Sequence, residues 1–67
     1  MKATIYVDTK QFKMVVLNKI PQTFFPSEPM ERALAYCWAM GATAIKIKEV
    51  SIEERADIGM KLNKNRR

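Results

Sequence analysis

Few residues in this chain have side chains reactive enough for chemistry. Cys37 is the only cysteine, and there is no histidine. A cysteine attacks as its thiolate, most often beside an imidazole that takes the proton. With no imidazole available, and with Cys37 on an apolar helical stripe, the expected role is a buried structural thiol. One thiolate without histidine also falls short of a tetrahedral zinc site. Glu53, Glu54 and Asp57 cluster, as an acid–base pair or a metal site would require. They also fall in the first turns of a helix, where negative charge is stabilised in any case. Asp8 reads as a turn residue. With only two glycines there is no Gly-rich phosphate loop. The expectation is a protein that is not an enzyme, with no cofactor, no metal and no small-molecule substrate.

The basic residues say more. The formal charge is +5 and the pI about 9.7, a balance that draws polyanions. Tyr6, Lys13, Lys46 and Lys48 fall on strand-like segments. If all four faced out from an open sheet, lysines over phosphates and a tyrosine under a base would form a platform for a single strand. Lys64, Arg66 and Arg67 would add a basic arm. In that arrangement Val15 and Leu17 share the same face, which suits contact with a protein better than with nucleic acid.

Periodicity defines the elements that must hold these residues. Residues 3–8, "ATIYVD", alternate as a strand, and residues 12–17, "FKMVVL", form a second with Phe12, Met14 and Val16 on one face. The "DTKQ" between them has hairpin length. From Ser27 to Met40 the period becomes helical. Met30, Ala33, Leu34, Cys37, Trp38 and Gly41 make one stripe, with Ser27 as N-cap, Pro29 in the first turn and Gly41 as C-cap. Residues 43–50, "TAIKIKEV", form a third strand. "SIEE" is a capping box, Ser51 to Glu54, opening a second helix to about Leu62 that Gly59 weakens.

These elements predict an α+β domain of two layers over residues 1–62, in the order β-β-α-β-α, followed by a basic flexible tail, 63–67. The sheet is expected to be mixed and three-stranded, with one helix packed on it. Its last strand lies beside the first or the second, joined to the second by a right-handed crossover. A domain this small has marginal stability, and a lone cysteine excludes internal disulfides, so a second subunit or a partner protein is the support that remains. The longest uncharged run, Ala33 to Ile45, is too short to span a bilayer. No helix pairs a lysine-rich face with a strongly apolar one, so no membrane contact is expected. A single cysteine and no signal peptide indicate the cytoplasm.

Two segments carry more apolar surface than their positions explain. Residues 20–29, "IPQTFFPSEP", read as a connecting loop, yet hold Ile20, Phe24 and Phe25. Pro26 keeps Phe25 extended, and neighbours in an extended chain point in opposite directions. One phenylalanine should close the core and the other should be exposed. Opposite its core stripe, the first helix shows Arg32, Ala35, Tyr36, Ala39 and Met40, with no charge after Arg32 until Lys46. Either the second helix covers this face through Ile52, Ala56 and Met60, or a partner does. The reading is a small protein-interaction module, and a possible homodimer, that binds through Phe24, Phe25, Tyr36, Ala39 and Met40. Such a domain would suit an inhibitor or adaptor of the kind mobile elements and phages encode. The alternative is a small nucleic-acid-binding protein using Tyr6, the three strand lysines and the tail.

Overall fold

The computed structural model describes residues 1–64, for Lys64 the backbone alone. Six elements follow one another: β1 (Lys2–Val7), β2 (Lys13–Leu17), β3 (Ile20–Phe24), α1 (Met30–Ala39), β4 (Ala44–Glu49) and α2 (Ile52–Lys64). The strands make one mixed sheet in the order β3-β2-β1-β4, with β1–β2 and β2–β3 antiparallel and β1–β4 parallel. The domain is α+β as expected, with four strands rather than three.

The additional strand is the segment that reads as a loop. Asn18 and Lys19 both have positive φ, 51° and 65°, the mark of a two-residue type I′ turn that folds β2 straight back into β3. Pro21 is tolerated because β3 is an edge strand. Leu17 and Ile20 close the turn as a bonded pair, so the missing N–H of Pro21 would point away from β2. The extra reversal also changes the crossover. α1 joins β3 to β4, β2 runs opposite to β4, and β4 lies beside β1.

Strand register sorts the side chains. Ala3, Ile5 and Val7 stand opposite Leu17, Val15 and Lys13, and all six point to one face. α1 lies on that face, burying Ala33 and Cys37 against Ile5, Val15 and Leu17. Tyr6, Met14 and Val16 point to the other face, and α2 lies there. A Cβ on Gly59 would sit 3.4 Å from Met14 Sδ, ordinary contact distance, which places α2 directly over Met14. Helices thus cover both faces, and the domain has three layers rather than two. Phe12, Met14 and Val16 belong to the α2 face, opposite to the expected side. A strand buried on both faces is apolar at consecutive positions and gives no alternation from which to read its side.

The caps are mostly those the sequence encodes. Glu54 N–H donates to Ser51 Oγ at 3.1 Å, and Ser51 N–H donates to Glu54 Oε1 at 3.4 Å. Gly41, with φ 91°, ends α1 in a Schellman motif: Ala42 N–H bonds Cys37 C=O and Gly41 N–H bonds Trp38 C=O, each at 3.0 Å. Ser27 does not cap α1. Pro29 is the N-cap, without a side-chain bond, and Ser27 sits in the turn before it. α2 continues through Asn63 and Lys64, so the helix takes in the start of the expected tail, and residues 65–67 lie outside the described residues.

Asp8 joins the sheet to α2. It is 2% exposed. Its Oδ1 accepts the N–H groups of Lys10 at 2.8 Å and Phe12 at 3.1 Å, and its Oδ2 accepts Arg55 Nε–H. The Arg55 guanidinium also lies over the Phe12 ring, 5.2 Å from its centroid. Burial alone would raise the Asp8 carboxyl. The Arg55 hydrogen bond, the two backbone N–H groups and the Arg55 charge outweigh it and hold the pKa below its ordinary 3.8. A depressed folded pKa contributes stability that is complete above the unfolded value and is lost as pH falls through the folded one. Asp8→Asn should therefore cost roughly 3 kcal/mol at neutral pH, because it leaves Arg55 without its partner. The gap between wild type and variant should narrow below about pH 4. Urea titrations at pH 7 and pH 3 measure both.

Candidate functional site

The residues expected to bind nucleic acid do not share one face. Tyr6, Lys46 and Lys48 do, with Tyr6 opposite Lys48 and Thr4 opposite Lys46 on the part of the α2 face that α2 leaves open. Lys13 does not. It points to the α1 face, is 5% exposed, and donates to the carbonyls of Gln11 at 3.0 Å and Glu28 at 2.8 Å. It ties the β1–β2 loop to the approach of α1. The side chain of Lys64, and Arg66 and Arg67 entirely, lie outside the described residues.

The expected protein-contact residues also divide. Phe24 faces α1 and meets Tyr36 edge-on, with ring centroids 5.5 Å apart, so both rings pack at the margin of the core. Tyr36 is therefore not on the outer side of α1. Phe25 is 63% exposed, and its ring meets the Phe12 ring edge-on, with centroids 6.1 Å apart. Ala39 and Met40 are exposed. α2 cannot cover them, because it lies across the sheet. Phe24→Ala should destabilise by about 3 kcal/mol and Phe25→Ala by under about 1 kcal/mol, measured by thermal or urea unfolding.

Cys37 is fully buried, and burial pushes its thiol pKa up, away from the reactive form. Glu53 and Asp57 are exposed, and Glu54 serves the capping box. In the folded protein Cys37 should resist alkylation at pH 8 and should react at the rate of a free thiol once urea unfolds the chain. Mass spectrometry of iodoacetamide-treated samples measures this.

A surface that the sequence did not single out lies on the other flank of α1. Trp38, assigned to the core stripe, is 55% exposed. Successive helical residues turn by about 100°, which places Trp38 on the flank opposite Tyr36. Tyr36 leans on β3, so Trp38 stands on the β4 side. Met30, Leu34 and Trp38 follow at i, i+4 and i+8 and form one ridge there. Ile45 and Ile47 of β4 point to the same face, and Ile47 is 50% exposed. Ridge and strand flank a groove that opens at the Met30 end into a depression of about 420 Å³ with a mixed lining, Val7, Met30, Ile47 and Val50 on one hand and Asp8, Thr9, Gln11 and Glu49 on the other. β4 is one of the two sheet edges, and all its residues except half-buried Ile45 are exposed. The signal for this groove was present in the spacing of Met30, Leu34 and Trp38. It was hidden because a stripe of that spacing ordinarily faces the core. No family model, curated protein or solved structure matches the chain.

Proposed function

We propose that this domain is a small non-catalytic protein-interaction module that binds its partner in the groove between α1 and β4, as an inhibitor or adaptor would. The observation that supports the reading is the exposed indole of Trp38, at one end of an apolar ridge beside an uncovered strand edge. Tryptophan is enriched among the few residues that carry interface energy, and a small domain gains little from leaving one in water. The interface differs from the one expected from sequence. Phe24 and Tyr36 are half-buried at the margin of the core, and Met40 lies with Tyr36 near Leu17 and Ile20, on the flank of α1 away from the groove.

A second reading keeps nucleic acid as the partner. It is supported by Tyr6 lying opposite Lys48 and beside Lys46 on the open part of the α2 face. One experiment separates the two. Tagged protein is used to capture partners from cell lysate with and without nuclease, alongside a Trp38→Ala/Ile47→Ala variant and a Tyr6→Ala/Lys48→Gln variant. On the protein reading, nuclease has no effect and the groove variant loses at least roughly tenfold in capture, while circular dichroism shows an unchanged fold. On the nucleic-acid reading, nuclease and the Tyr6 variant abolish capture, and oligonucleotide affinity falls steeply with salt.

A further inference from the structure

We infer that the bare edge of β4 takes up an extended segment of the partner as a fifth strand, and that this segment alternates acidic and apolar residues. The inference deepens the proposed function and rests on it. Backbone geometry comes first. Val50 N–H donates to Val7 C=O at 2.9 Å. Alternation along a parallel ladder then turns the backbone groups of Ala44, Lys46 and Lys48 toward β1 and those of Ile45, Ile47 and Glu49 outward. The outer side of β4 therefore offers a regular row of donors and acceptors, which is what an added strand uses.

Side chains set the identity of the occupant. A strand laid along β4 presents its side chains alternately to the same two faces. On the α1 face it meets Ile45 and Ile47, with the Leu34–Trp38 ridge above them, and apolar side chains fill the groove there. On the other face it meets Lys46 and Lys48, both exposed, with exposed Lys2 on the adjacent strand. Among the described residues neither Lys46 nor Lys48 is in an ion pair. Carboxylates directly opposite them complete favourable cross-strand pairs. The same lysines disfavour a second copy. A two-fold pairing of β4 with itself that keeps the faces matched sets Lys46 against Lys46, Lys46 against Lys48, or Lys48 against Lys48 in its central registers. Like charges directly opposite are destabilising. Lysines on an edge strand are a common guard against self-association. Here the guard discriminates by charge and leaves the edge open to an acidic strand.

The test uses a short synthetic peptide of alternating valine and glutamate, capped at both ends, titrated into isotope-labelled full-length protein and followed by NMR. The largest amide shifts should fall on Ile45, Ile47 and Glu49, whose hydrogen exchange should slow on binding. Lys46→Glu/Lys48→Glu should weaken the peptide by roughly fivefold or more, since each opposite-charge pair becomes a like-charge one. The matching peptide with lysine in place of glutamate should not bind. Absence of shifts along β4, equal binding of the lysine peptide, a β4–β4 dimer in sedimentation, or displacement of the peptide by a single-stranded oligonucleotide at physiological salt would each overturn the inference. If the peptide fails while the Trp38→Ala/Ile47→Ala variant still loses its captured partner, only the strand-pairing inference falls. If that variant keeps its partner, the interaction reading falls with it.

Discussion

The position of α2 depends on one carboxylate. No residue of α2 with a described side chain is fully buried, whereas α1 buries Ala33 and Cys37 completely. Apolar burial therefore holds α1 firmly and α2 weakly. Asp8 supplies what α2 lacks. It stands where β1 gives way to its hairpin loop, accepts two backbone N–H groups that shape that loop, and receives Arg55 from α2. A charge-assisted bond at a buried site is directional and strong, and leaving either partner alone there is costly. Met14 is buried beneath α2, so the Asp8–Arg55 contact helps to hold the helix that covers it.

Much of the domain could be read from the chain because local signals agreed with the fold. The alternation of Ala3, Ile5 and Val7, the capping box at Ser51 and Glu54, and Gly41 at the end of α1 all appear where the sequence puts them. β3 was illegible for two local reasons. Its turn uses Asn18-Lys19, in which a lysine accepts positive φ in place of glycine, and its second residue is a proline. Both are permitted by context, the first by a tight hairpin and the second by an outer edge. The parity of β2 failed for a different reason. Met14 and Val15 are both buried, beneath different helices, so no pattern of single residues can say which faces α1. That one ambiguity sent Lys13 to the wrong side of the sheet.

The groove was legible in its parts and not in its sum. Trp38 belongs to the α1 stripe by spacing, but a ten-residue helix over a four-stranded sheet cannot shelter the outer strand. Whether an apolar helical residue is core or surface then depends on which strand lies beneath it. Strand order is a property of the whole chain, and here it turned on the unrecognised β3. The charge pattern of β4 was plain from sequence. Its meaning changed once β4 proved to be an edge, since lysines facing a solvent-exposed border act on neighbours and not only on solubility.

The parallel pairing of residues 2–7 with residues 44–49 also governs how the domain assembles. β1, β2 and β3 form a meander of short-range contacts that can close as soon as its residues are available. The β1–β4 ladder needs a loop spanning most of the chain to be closed first, and long-range closures of that kind slow folding. During synthesis from the N-terminus, the flank of β1 that will receive β4 stays unpaired until residue 49 has emerged, and α2 cannot dock before then. Without β4, β1 would be an edge strand of the meander and not an interior one. The β1–β4 ladder therefore does more than complete the sheet: it removes a strand edge from the middle of the domain and leaves the lysine-bearing β4 as the border.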